Sequence, residues 1–272
     1  MLPSLTQVNA RLVRRFFPIL FALAFGVPLA SFAQEEADGP TSLVITYTAK
    51  PETRAAFRAY MEKQGAAQFA QWKKDGVFSN AQILFCAYAG SSAFDLAVIL
   101  DFRHYTDLAR WKEIEKRMPG GLPSEALALG APDGASFTDV LAHGVAERRD
   151  PAKAVYMIAS YKVVTDANRY RKYVEAYTVP QMKGWIGAGV LSSYTMYLNQ
   201  NPAGARWDAL LVLEYKDLAG LAQREAVKSK VRAQLAASDA GWKAWSADKG
   251  AVRNEIGIAI ADAIAPVAAA SK

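Results

Sequence analysis

Displaced by 113 residues, the chain aligns with itself without a gap from Phe57 to Ala109. Arg58 then falls on Arg171, Tyr60 on Tyr173, Glu62 on Glu175, Gln68 on Gln181 and Trp72 on Trp185. Gly76-Val77 falls on Gly189-Val190, Asp95 on Asp208 and Leu108-Ala109 on Leu221-Ala222. Conservative pairs stand between them: Phe57 with Tyr170, Phe94 with Trp207, Asp101 with Glu214, Phe102 with Tyr215. One register held over this length marks a tandem duplication. It constrains the fold more than composition does, because what one copy forms the other must form too.

Each copy reads the same way. Residues 43–48 and 155–164 are β-branched and aromatic and predict a strand. Residues 51–74 predict a helix, with Phe57, Tyr60, Met61, Phe69 and Trp72 on one arc. Gly76 and Gly189 supply the left-handed residue that ends it. Strands follow at 80–88 and 94–102 around a Gly/Ser turn, then a second helix capped by Thr106 or Asp107. A last strand is expected at 137–142 and, in the second copy, at 254–260. The order β-α-β-β-α-β is the split βαβ, ferredoxin-like unit of the α+β class, a four-stranded antiparallel sheet with both helices on one face.

The bare face of such a sheet needs cover. The second copy is placed to give it, so the expected fold is two tandem ferredoxin-like repeats packed sheet to sheet as an intramolecular α+β barrel. Two separate domains, each pairing with another chain, are the alternative. The repeats are bounded at 42–144 and 154–262, with a linker at 145–153 whose shortness favours direct packing. Residues 34–41 are expected to be a flexible N-terminus, and 263–272 a disordered Ala-rich tail.

Residues 1–33 read as a signal peptide. Arg11, Arg14 and Arg15 form a basic start, residues 16–30 are apolar, and Ser31-Phe32-Ala33 offers a cleavage site after Ala33. The apolar run is shorter than the ~20 residues of a membrane span, so no stable membrane insertion is expected after cleavage. Periplasmic or secreted protein is the expected product. Arg14-Arg15-Phe16-Phe17 partly matches a twin-arginine signal, with ordinary secretion favoured. Three of the 32 basic residues lie in this segment, leaving 29 against 26 acidic, an excess too mild to call for nucleic acid. Cys86, the single cysteine, lies in an apolar run and reads as core.

Topology, duplication and aromatic placement resemble the dimeric α+β barrel superfamily in a fused two-repeat form. The likeness covers nearly all of residues 42–262 and extends to NIPSNAP-like, EthD-like and antibiotic-biosynthesis-monooxygenase-like proteins. It implies a pocket in each repeat between the sheet and its helices. It also implies activities that range from cofactor-independent monooxygenase, isomerase or lyase to haem enzymes of the chlorite-dismutase type.

One wall of such a pocket would be the inner arc of the first helix: Tyr60, Gln64, Gln68 and Trp72 in the first copy, Tyr173, Tyr177, Gln181 and Trp185 in the second. A glutamine among buried aromatics needs a hydrogen-bond partner or a ligand. Pro180, with Ala67 opposite it in the first copy, is expected to kink the second helix near Thr178. His143 and Asp139 share one face of the last strand of copy one and are candidates for a base and its orienter. Asp208 is a weak catalytic candidate; its repetition as Asp95 favours a structural task, closing a turn or pairing with Arg58 and Arg171. His104 reads as a capping or surface residue. No metal motif and no cofactor are predicted, with haem left open. The reading is an exported barrel, monomer or homodimer, that binds a small apolar or aromatic molecule.

Overall fold

A computed structural model of the chain describes residues 38–90 and 93–265. The signal-peptide segment, its cleavage site and the end of the Ala-rich tail lie outside the described residues. The first repeat runs β1 (Thr41–Ala49), α1 (Arg54–Tyr60), a π-helical turn (Met61–Gly65), α2 (Ala66–Lys74), β2 (Asn80–Cys86), β3 (Leu96–Phe102), α3 (Leu108–Glu115), α4 (Ser124–Leu127) and β4 (Gly130–Val145). The second runs β5 (Val155–Val163), α5 (Ala167–Tyr173), a π-helical turn (Val174–Thr178), α6 (Val179–Gly187), β6 (Leu191–Asn199), β7 (Ala209–Tyr215), α7 (Leu218–Ala222), α8 (Arg224–Ser238), α9 (Ala240–Asp248) and β8 (Arg253–Ala263).

All eight strands are antiparallel to their neighbours and close into one barrel in the order β1-β3-β2-β8-β5-β7-β6-β4. Each repeat supplies four consecutive staves, β4-β1-β3-β2 and β8-β5-β7-β6, which is the ferredoxin-like strand order. The two seams between repeats differ. β4 and β6 pair at seven positions, from Thr138 with Asn199 to Val145 with Ser193. β2 and β8 pair at three, Leu84 with Ala263, Phe85 with Asp262 and Cys86 with Ala261. β8 thus continues to Ala263, and Ile264 is buried in the first repeat's core, beyond the point where a loose tail was expected.

Alternation along the strands sorts side chains into three cores. Val44, Leu84, Cys86, Ile99, Ile158, Val212 and Ala259 point into the barrel, and Phe94 and Trp207 close one end. Outside it, each sheet half is covered by its own helices. Gly76 and Gly189, both at φ +73°, end α2 and α6. In each case the next N–H reaches back to the tryptophan carbonyl four residues before the glycine, Val77 to Trp72 and Val190 to Trp185.

The spacing of the duplication slips by one residue. Asp95 N–H bonds the Tyr47 carbonyl and Asp208 N–H bonds the Tyr161 carbonyl, so β1 and β5 correspond at 114 rather than 113. The extra residue lies between β1 and α1. The π turns occupy identical places, 113 apart, in both copies. Pro180 is therefore not what reshapes the second helix: the chain stays helical through it, and the copy with Ala67 carries the same turn.

Candidate functional site

The two sheet–helix layers have the same skeleton and different chemistry. In the first, Trp72 packs edge-on between Phe69 and Trp111, at 5.3 and 5.8 Å between ring centres, and Tyr60 is half-buried. Gln64 and Gln68 are exposed, so the expected polar wall is absent from this copy. In the second layer Tyr173, Tyr177, Gln181 and Trp185 are all buried. The difference comes from α8 and α9. Val231 of α8 sits against Gly184 so closely that a Cβ there would fall 2.5 Å from it. From α9, Trp242 stacks on Tyr177 at 4.9 Å, and Trp245 meets Tyr173 edge-on at 5.9 Å. In the place of α9 the first repeat has the single-turn α4, which carries no aromatic side chain.

Five buried polar atoms among the described residues make no hydrogen bond of good geometry: Tyr170 Oη, Tyr177 Oη, Tyr215 Oη, Trp185 Nε1 and Arg224 Nε, the Arg224 guanidinium lying close enough to the Tyr215 hydroxyl to act on it. All five belong to the second layer. At the 113-residue spacing their counterparts are Phe57, Gln64, Phe102, Trp72 and Trp111, so at three of the five positions a tyrosine or arginine replaces a phenylalanine or tryptophan of the first copy. A fourth polar replacement is Arg253. It pairs with Val163 as Gly130 pairs with Ala49, which makes Gly130 its counterpart. A Cβ at Gly130 would lie 2.6 Å from the Phe57 ring. In the second copy the Arg253 guanidinium instead lies 3.7 Å over the Tyr161 ring and donates from Nε to Tyr173 Oη at 3.1 Å. Burial pushes Tyr173 up to about 12 against the pull of Arg253, and raises Tyr170 and Tyr215 as well. These phenols are neutral donors at neutral pH.

An open groove of about 610 Å³ runs along the outside of this layer, lined by Asp166, Arg169, Lys172, Trp245 and Asp248 among others. Trp245 is therefore both the floor of the groove and the outer end of the Trp245–Tyr173–Tyr177–Trp242 aromatic series.

The open end of the barrel holds a larger cavity, about 920 Å³. His143 and Asp139 line it but do not meet as a base and orienter. His143 Nδ1 is hydrogen-bonded to Thr195 Oγ1 at 3.0 Å, whereas Asp139 pairs with Arg171 and accepts from Gln200 Nε2 at 2.7 Å. Glu214, buried, accepts from Arg149 Nε at 2.9 Å and from Ser193 Oγ at 2.8 Å. Its counterpart Asp101 accepts from Ser42 Oγ at 2.7 Å. Asp208 stands elsewhere, taking the Val163 N–H at 2.9 Å and Lys162 Nζ at 3.0 Å. Asp95 does the same with the Ala49 N–H at 2.9 Å and Arg54 Nε at 2.6 Å. Both aspartates tie a strand end to the turn before the next strand. Their cationic partners are Arg54 and Lys162; Arg58 pairs with Glu62 and Asp262.

No protein-family profile and no curated relative matches the sequence. Solved structures do match in shape. An anthrone oxidase-like protein superposes with a TM-score of 0.50 at 11% identity, over 88% of this chain and 98% of its own. A variant chlorite dismutase from Candidatus Nitrospira defluvii gives 0.47 at 11% identity, over 86% and 95%. A haem-binding protein from Thermus thermophilus gives 0.45 at 8%, over 83% and 91%. With the closed eight-strand topology, the first of these decides the architecture. The fold is that of the dimeric α+β barrels, with both halves on one chain.

At such identities the likeness carries no function, so the chemistry of this α+β barrel has to come from its own residues. An imidazole ligand for haem does not fit the second layer. The chain has two histidines; His143 lies at the barrel mouth and His104 is exposed beside Asp38. Among the described residues no group of three His, Cys, Asp or Glu side chains is placed to hold a metal ion. Sequence reasoning placed Tyr170 on the inner arc and missed Tyr215, Arg224, Trp242 and Arg253. For Tyr215 the signal was present in the self-alignment, a phenylalanine-to-tyrosine exchange on a face expected to be buried.

Proposed function

We propose that this is an exported protein that takes a small aromatic molecule into the layer between sheet and helices of its second repeat. The observation that carries the reading is the confinement of the unpartnered polar atoms to that layer. Leaving a buried donor unpaired costs about 1–3 kcal/mol. The first repeat forms the same layer with Phe57, Phe102 and Trp111, so the fold itself does not need the polar versions. Aromatic walls give stacking surface, and the neutral hydroxyls and indole N–H give a ligand its orientation.

Entry is from the groove beside Trp245. The covering helix α9 is nine residues long, capped by Asp239 accepting from the Trp242 N–H at 2.8 Å, and is held by the Trp242 and Trp245 rings, by the Trp242 indole N–H on the Tyr177 carbonyl and by Asp248 on Arg169. Export rests on the character of residues 1–33. A protein recovered from outside the cytoplasm should begin at Gln34.

Mass spectrometry of the protein purified from its own host under native conditions tests the binding. The expected result is a co-purified aromatic compound whose retention is lost in Trp185→Ala and unaffected by His143→Ala. Chemical conversion of that compound by the protein would place it instead among the cofactor-independent enzymes of this fold. A protein that carries no aromatic compound and binds none from a chemical library overturns the reading.

A further inference from the structure

The unpartnered groups of the second layer share a sign. Trp185 Nε1 and Arg224 Nε can only donate, and the three phenols are neutral and able to donate. Around them stands a ring of cations. Arg224, Lys228 and Arg232 follow one another at four-residue spacing on one face of α8, an arrangement that is unfavourable for a helix by itself. Arg232 reaches Gln181 Oε1 at 2.6 Å. Lys249 is held below the ordinary lysine range by burial and by the neighbouring Arg232, Arg253 and Lys228. Arg253 of β8 lies over the Tyr161 ring at 3.7 Å, and Arg224 of α8 over the Trp185 ring at 5.9 Å.

The acids in this region do not balance these charges. Glu225 is taken by Arg224 and Lys228, and Asp208 by Lys162. Glu255 is exposed and close enough to influence Tyr161 and Lys249, but forms no ion pair among the described residues. Arg253, Arg232 and Lys249 have no carboxylate within ion-pair distance among the described residues. Arg253 spends one N–H on Tyr173 and lays its face on Tyr161. Its counterpart in the first repeat is a glycine under a phenylalanine ring, and that repeat needs no cation there.

We infer that the aromatic ligand is an anion, with a carboxylate or phenolate on the ring, and that Arg253 is its counter-ion. This rests on the reading that the layer takes an aromatic molecule. A guanidinium without a carboxylate partner, set beside neutral hydroxyl donors, recognises a planar oxyanion in preference to a neutral group of equal size. The aromatic walls by themselves would not distinguish the two.

The experiment compares aromatic acids with their amides, for one, two and three fused rings, by quenching of the tryptophan fluorescence of the mature chain at neutral pH. The expected result is at least one ring size at which the carboxylate binds about tenfold or more tightly than its amide. That preference should be lost in Arg253→Gln and kept in Arg253→Lys. Rising salt should weaken the carboxylate and leave the amide unchanged in the wild-type protein, a measurement that needs no variant. Equal binding of acid and amide overturns the inference and leaves an aromatic site. A preference that survives in a folded Arg253→Gln protein overturns the role of Arg253. Failure of every acid and amide to bind overturns the underlying reading along with the inference.

Discussion

Trp242 donates its indole N–H to the main-chain carbonyl of Tyr177 at 3.0 Å, joining α9 to the π turn of the second repeat. A π turn breaks the regular helical ladder and leaves a carbonyl needing a donor from elsewhere. In the first repeat, where the same turn occurs, the single-turn α4 stands in the place of α9 and offers no indole.

Replacing this donor should loosen the cover without touching the barrel. Trp242→Phe keeps a ring over Tyr177 and removes the bond, leaving a buried carbonyl unpaired. A loss of about 2 kcal/mol is expected in urea unfolding. Faster hydrogen exchange should be confined to residues 174–178 and 240–248.

Tyr170→Phe should have the opposite effect on stability. The hydroxyl it removes is fully buried and has no partner, and Phe57 fills the same place in the first repeat. A gain of about 1 kcal/mol is expected in denaturant titration, together with weaker binding of the aromatic molecule proposed for this layer. Loss of stability in this variant would show that the hydroxyl is satisfied within the fold.

The ion pair at the barrel mouth should behave as a unit. The Glu214 side chain is 2% exposed and that of Arg149 37%. Arg149→Ala strands a buried carboxylate and should cost about 3 kcal/mol, near the low end for such pairs because the arginine is partly solvated. Arg149→Met combined with Glu214→Gln should cost less than the sum of the two single changes. A double-mutant cycle by urea unfolding measures the difference.

The alkaline limit of stability should be set by tyrosines. Burial pushes Tyr156 and Tyr173 up to about 12, and raises Tyr161, Tyr170, Tyr197 and Tyr215 too. Unfolded tyrosine loses its proton near 10. Between about pH 10 and 12 the folded protein therefore holds more protons than the unfolded chain. The stability these residues contribute is complete below pH 10 and falls as pH rises through that window. Phenolate absorbance and circular dichroism, followed together, should change in one cooperative step for these six side chains.

The strand order and the glycine helix stops were legible because they depend on local patterns that the duplication repeats. Asp95 and Asp208 were legible as a matched structural pair for the same reason. Their partners were not. Arg58 meets Asp262, 204 residues away, across a seam whose register no local pattern reports. Gln64 and Gln68 occupy the same helical phase as Tyr177 and Gln181, yet only the second pair is buried. Burial there depends on α8 and α9, and periodicity within one helix carries no information about what lies over it. Arg253 escaped notice because its counterpart is identified by strand pairing, beyond the gapless part of the self-alignment.

The seams between the repeats carry a last consequence. Most of what closes this barrel is contact that a two-chain relative would have to make by encounter. Here the nine residues between Val145 and Val155 hold the halves at an effective concentration in the millimolar range. Dilution, which would dissolve a barrel made of two subunits, leaves this one intact.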